Sequence, residues 1–283
     1  MHSRNVVYST LSGHVRMPGL RVAATLALMA LAVSPAAAQD WAKARLDKSP
    51  RHMEWVKVKN GNREVNCFIA YPEVKEKATA VVVIHEIFGL TDWVRGVTDQ
   101  LAEAGYIAIA PDLLTGTAPG GGGTAELGGN DAVRKAISSL PPEQVTGDLN
   151  AVAAYVSKLP ACNGKIAVAG FCWGGGQSFR FATDNADVKA AFVFYGPPPA
   201  TDALSRIKCP VYGFYGGEDA RISATVPKTE TEMKQAGKTY KPVIYKGAGH
   251  GFMRAGEAPD ASAANKEARE QAWKRWKSFL KDL

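Results

Sequence analysis

A doubly wound α/β fold with a mostly parallel sheet follows from three observations on the sequence. Continuous apolar runs such as 80–84 (AVVVI) and 166–169 (IAVA) read as strands buried on both faces. Such runs alternate with amphipathic helical segments over roughly 240 residues, the pattern of strands covered by helices on both faces of a sheet. Two segments of alternating apolar and polar residues precede the first buried run, so an antiparallel hairpin opens the sheet. The 283 residues, 46% hydrophobic and 22% charged, suffice for one large core and exclude a disordered or fibrous chain. No linker or internal repeat divides them.

Residues 1–38 stand apart from that fold. The apolar run 20–33 follows Arg4, Arg16 and Arg21 and leads into Ser34-Pro35-Ala36-Ala37-Ala38. A basic start, a short apolar stretch and an A-x-A site predict a secretory signal peptide cleaved after Ala38, with Met17 an alternative start of the same leader. The run is shorter than the roughly 20 residues a membrane span needs, and no later segment is long enough. An exported protein, periplasmic or secreted, is expected. The net charge of +7 falls to +4 without this segment, which holds three arginines and no acid. The remaining charge is dispersed apart from Lys274, Arg275, Lys277 and Lys281, read as a solvated helix face, so no nucleic-acid partner is expected. Four cysteines remain: Cys67, Cys162, Cys172 and Cys209. At most one disulfide is expected if Cys172 works as a free thiol, and none is favoured.

The elements follow in order. Residues 41–53 are polar and read as an extended surface stretch. Strands are expected at 54–60 and 64–71, with Gly61-Asn62 turning between them, and at 80–84. Residues 92–104 form a helix stopped by Gly105, with Val94, Val97 and Leu101 on one face. A strand at 106–110 leads through Pro111-Asp112 into segment 115–130, which carries PGGGG at 119–123. That segment reads as a mobile loop, either a tolerated surface insertion or a rim over a cleft. Helices at 131–140 and 141–159 precede the strand 166–169 and a helix at 174–182. Strands at 189–195, 211–215 and 241–245, a helix at 225–236 and a closing helix at 261–280 complete the pattern.

The chemistry centres on 165–176, KIAVAGFCWGGG. A buried strand runs into Gly170-Phe171-Cys172-Trp173-Gly174, a G-x-nucleophile-x-G turn from strand to helix with cysteine at its tip. Glycine on either flank removes a Cβ that would strike the neighbouring backbone. The helix N-terminus that follows favours a thiolate. A thiol there needs a general base, and residues 39–283 contain three histidines. His52 lies in a polar stretch and reads as surface. His85 ends an apolar strand, where a backbone hydrogen bond is the plain reading. His250 lies in Gly-Ala-Gly-His-Gly-Phe after the last strand, at the sheet end where ligands bind. The acid then falls between Cys172 and His250, at Glu218 or Asp219 in GGEDARI, with Asp219 preferred; it would set the imidazole tautomer. An oxyanion hole is expected from peptide N–H groups of Ile87 and of Trp173, after the nucleophile. Glu86 is costly at the end of an apolar strand unless paired or functional. Scattered histidines without C-x-x-C or H-E-x-x-H spacing point to no metal and no cofactor.

Cys172 in the elbow, H-E-I-F-G at 85–89, G-G-E-D at 216–219 and A-G-H-G-F at 248–252 together resemble the dienelactone hydrolases (carboxymethylenebutenolidases). The resemblance runs from about residue 54 to the C-terminus. It implies a single-domain α/β-hydrolase fold over 39–283 and hydrolysis of a small ester or lactone. It also implies Cys172 as nucleophile, His250 as base, Asp219 as acid, and Ile87 and Trp173 as backbone oxyanion donors. Glu86 matches a glutamate that pairs with the resting cysteine and swings away when substrate binds, a gate that would spare a thiolate from oxidation. Arg254 matches one of two arginines that hold a substrate carboxylate. The position of the other is Gly116, so the natural substrate, possibly anionic, is open. A broad carboxylesterase, and a redox-sensing or binding protein on the same scaffold, are the alternatives.

Overall fold

The protein, a computed structural model, is described over residues 40–283. The predicted signal peptide lies outside these residues. An antiparallel hairpin opens the sheet, β1 (Met53–Asn60) and β2 (Arg63–Ala70), with Met53 opposite Ala70 and Asn60 opposite Arg63. Gly61, at φ +59°, makes its turn. Six further strands follow: β3 (Ala78–Ile84), β4 (Ile107–Pro111), β5 (Cys162–Phe171), β6 (Ala190–Phe194), β7 (Val211–Gly216) and β8 (Tyr240–Tyr245). One eight-stranded sheet results, ordered β1-β2-β4-β3-β5-β6-β7-β8, antiparallel from β1 to β4 and parallel beyond.

The helices are α1 (Asp40–Leu46), α2 (Asp92–Glu103), α3 (Asn130–Ser138), α4 (Pro142–Ser157), α5 (Trp173–Asp184), the short α6 (Ala220–Ser223), α7 (Val226–Gln235), the short α8 (Phe252–Ala255) and α9 (Ala263–Lys281). Alternate side chains along each buried strand serve opposite faces. Val81 and Val83 join the core formed with Trp93, Val94 and Val97 of α2 and Trp276 of α9. Val82 and Ile84 join the core formed with Leu149 and Val152 of α4 and Met233 of α7. Every residue of β3 is buried, which is why that strand reads as an unbroken apolar run.

Three expectations need correction. The polar stretch 41–53 is not extended throughout: it begins with α1, whose Ala42 and Leu46, one turn apart, are buried in the core shared with α2. An apolar pair that short is invisible among lysines until a partner helix covers it. The strand leading to the elbow begins earlier than the apolar run, because Cys162 already pairs with Ala78. Segment 115–130 is fastened rather than loose. It winds through two 3₁₀ turns, Pro119–Gly121 and Thr124–Leu127, and the Gly122 carbonyl accepts from the Gly116 and Ala118 amides at 2.9 and 3.1 Å. All four cysteines are free, and no helix among the described residues is long and apolar enough to cross a membrane.

Candidate active site

The turn from β5 into α5 carries Cys172 at φ 56° and ψ −116°, a conformation that costs a non-glycine residue about 1–3 kcal/mol. Close packing holds it there. A Cβ on Gly170 would lie 1.9 Å from the Gly174 carbonyl oxygen, and a Cβ on Gly174 would lie 2.4 and 2.3 Å from the carbonyl oxygens of Ile84 and His85. The Cys172 amide donates to the Phe194 carbonyl at 3.0 Å, tying the elbow to β6. The sulfur therefore stands at the carboxyl end of the central strands and at the N-terminus of α5.

His250 reaches the same place from the loop between β8 and α8. The loops after β7 and β8 touch there: a Cβ on Gly216 would lie 2.6 Å from the carbonyl oxygens of both Ala248 and Gly249. Asn265 of α9 accepts from the Gly249 amide at 2.9 Å and fixes the loop from outside. His250 Nδ1 donates to Asp219 Oδ2 at 2.5 Å, and the Cys172 side chain lies beside its ring. Asp219 is buried while Glu218 is exposed, so the sequence's two candidates are separated by the turn into α6. Interaction with Cys172 is the largest influence on the imidazole. Burial opposes it and the hydrogen bond with Asp219 adds to it, raising the pKa of His250 to about 9.

Glu86 and Ile87 follow β3 in a tight turn closed by Gly89 N–H donating to the Glu86 carbonyl at 3.1 Å. Within the described residues the amides of Ile87 and Trp173 enter no hydrogen bond, so both are free to serve a ligand. His85 is fully buried, with Nδ1 donating to the Glu86 carbonyl at 2.9 Å and Nε2 facing the Leu113 amide at 3.4 Å. Burial lowers its pKa and keeps it neutral, and its ring stacks on Trp173 at 5.4 Å. His52 is exposed.

The model of the dienelactone hydrolase family matches residues 65–283. The chain belongs to the dienelactone hydrolase family. A protein of Saccharolobus solfataricus with the provisional name carboxymethylenebutenolidase is 32% identical over 252 residues, covering 77% of this chain and 94% of its own. One of the same provisional name from Methylorubrum extorquens is 31% identical over 264 residues, covering 89% and 88%. The crystal structure of a provisionally assigned dienelactone hydrolase from Klebsiella pneumoniae superposes with a TM-score of 0.73 at 27% identity, covering 82% of this chain and 99% of that one. The fold is that of the α/β-hydrolases, and the family is one of ester and lactone hydrolases.

Within this dienelactone hydrolase scaffold, Glu86 and Arg254 meet each other. Arg254 Nε donates to Glu86 Oε2 at 2.8 Å, and the guanidinium lies 5.4 Å from the Phe88 ring centre. Glu86 is thus turned toward the arginine and not hydrogen-bonded to Cys172, the partner the family resemblance implied. Arg254 rides on α8, a four-residue helix too short for periodicity to reveal. Gly116 has a physical reason to lack a side chain: φ is +84°, and a Cβ would lie 3.1 Å from Nη1 of Arg63, itself bonded through Nε to the buried Asp148 at 2.9 Å. Sequence reasoning passed over Tyr195. It follows β6 at φ 42°, is fully buried, and sets its ring edge-on to His250 at 5.1 Å. Burial first, then the charge of nearby Glu86, pushes its pKa well above the ordinary tyrosine value. A Tyr-Gly pair closing a buried strand was the available signal. Among the described residues no cluster of three or more His, Cys, Asp or Glu could hold a metal ion.

Proposed function

We propose that the protein hydrolyses a small ester or lactone through a Cys172 thioester. The observation that carries this reading is the His250 imidazole, hydrogen-bonded to Asp219 and set beside the Cys172 side chain at a strained elbow. Cys172 Sγ, its proton already passed to His250, attacks the carbonyl carbon. The tetrahedral oxyanion is held by the Ile87 and Trp173 amides. His250 then gives the proton to the leaving oxygen, the C–O bond breaks, and the acyl group remains on sulfur. Water attacks the thioester as His250 takes its proton, the C–S bond breaks, the acid departs, and the proton stays on His250 beside the released sulfur. Asp219 holds the imidazole with Nδ1 protonated and balances the imidazolium charge without taking its proton.

In this reading Glu86 is the gate of the family resemblance, drawn to Arg254 when the thiol is engaged with His250. The Nη groups of Arg254 make no hydrogen bond among the described residues, which suits a substrate carboxylate. Residues 1–38 would direct export of the single domain 39–283.

The test is direct. Cys172→Ala should abolish turnover of p-nitrophenyl acetate, and mass spectrometry of the wild-type enzyme quenched during turnover should find the acyl group on Cys172. Undiminished turnover in the variant would refute the nucleophile.

A further inference from the structure

The glycine-rich segment 119–129 reaches the site without touching the nucleophile, and what it does touch is the turn bearing the Ile87 amide. Leu90, one residue past that turn, donates its amide to Thr124 Oγ1 at 3.0 Å. The same hydroxyl donates to Asp112 Oδ1 at 2.8 Å, and the Thr124 amide donates to Asp112 Oδ2 at 2.8 Å. Asp112 is buried at the end of β4, where Oδ1 also accepts from the Leu114 amide at 3.1 Å. One hydroxyl thus links the exit of β4 to the exit of β3, accepting from one side and donating to the other. Among aliphatic side chains of this size, only the hydroxyls of serine and threonine can do both.

We propose that Thr124 is a positioning residue for the oxyanion hole, and that the glycine-rich segment is the strap that delivers it. The inference rests on the assignment of Ile87 and Trp173 as oxyanion donors.

The packing around the hydroxyl shows a fitted contact. A Cβ on Gly89 would lie 2.3 Å from Thr124 Oγ1, and one on Gly123 would lie 2.3 Å from Asp112 Oδ2. Gly120 and Gly121 take φ of +76° and +85° to turn the strap, and the Gly123 amide donates to Glu126 Oε2 at 2.7 Å. The glycines answer close approach and left-handed backbone, the requirements of a tight junction. Beyond the strap, Leu114, Val133 and Ile137 form a small core of their own, and the side chains packed against it include Ile87 and Trp173. Both residues expected to supply oxyanion amides therefore lean on Leu114 and on the helix the strap leads into. An oxyanion hole works by donors fixed before charge develops, so slack in this junction is slack in the hole.

Thr124→Val keeps the shape and removes the hydroxyl. Deleting an oxyanion donor outright costs about 10²–10³ in kcat, and loosening one should cost about tenfold. The expectation is a kcat for p-nitrophenyl acetate lowered about tenfold with KM within about twofold. Inhibition by a trifluoromethyl ketone, whose adduct with the thiol carries an oxyanion, should weaken by a similar factor. Alkylation of Cys172 by iodoacetamide generates no oxyanion and should keep its rate. Thr124→Ser should restore both kcat and the inhibition, and amide exchange at Leu90 should quicken in the valine variant alone. If Thr124→Val does not fold, Thr124→Ala carries the same expectations with less bulk. Unchanged kcat in the folded variant overturns the proposal, and so does a parallel loss of alkylation and turnover, which would mark general damage. Failure of the nucleophile assignment reads differently: Cys172→Ala would then stay active whatever Thr124 does.

Discussion

In the proposed reaction, the raised pKa of His250 sets a pH dependence. The imidazole is raised from 6.5 to about 9 chiefly by its interaction with Cys172, so near neutrality it carries the proton that an alkoxide leaving group needs. For an aliphatic ester, kcat/KM should therefore fall as the pH rises through about 9, where that proton is lost. Once the sulfur is acylated, the largest cause of the shift is gone and the pKa of His250 drops toward its ordinary value. The residue that served as acid is then free to serve as base toward water. An NMR titration of His250 should show a lower midpoint in Cys172→Ala than in the wild type; an unchanged midpoint would contradict the coupling. Cys172 and His250 were legible in the sequence because glycine flanks and strand-end position are local. Asp219 was preferred to Glu218 from the sequence, and what the structure adds is that Asp219 is buried at the start of α6 while Glu218 is exposed.

At the level of elements, the junction of β5 and α5 is the most constrained piece of backbone in the site. Gly170→Ala would set a methyl group 1.9 Å from the Gly174 carbonyl oxygen, a backbone atom that cannot move without shifting α5. Relief should cost about 1–3 kcal/mol or more. The variant should lose thermal stability and turnover together, whereas Cys172→Ala should lose turnover alone; differential scanning calorimetry beside an activity assay separates the two. The eight strands were readable because the buried ones are unbroken apolar runs and the hairpin alternates. Three pieces escaped: α1, which needs α2 to cover it; α8, which is one turn long; and the strap, whose glycines have the composition of a loose loop. Composition is blind to whether a glycine is present for freedom or for clearance.

Across the whole molecule, the elbow is braced from behind by an aromatic cluster. Trp276 of α9 is fully buried and packs on Phe171, Phe192 and Phe194 at ring-centre distances of 6.0, 5.8 and 4.9 Å. Phe171 directly precedes Cys172, so the closing helix supports the elbow through one side chain. Trp276→Ala should cost about 3–5 kcal/mol, read as a lowered urea midpoint, because a buried indole leaves a cavity the sheet cannot fill. A midpoint within experimental error of the wild type would show that α9 is dispensable to the core.

The order of Cys172, Asp219 and His250 along the chain, and the strands that present them, were determined by the sequence alone. Burial period, glycine spacing and strand-end position are properties of neighbours in the chain. Tertiary structure decided the rest: the pairing of Glu86 with Arg254, the clearance that leaves Gly116 bare, and the link from Asp112 through Thr124 to Leu90. Each of these is a contact between groups distant in sequence. Its distance and its accounting of donors and acceptors exist only after the sheet has brought its strand ends together.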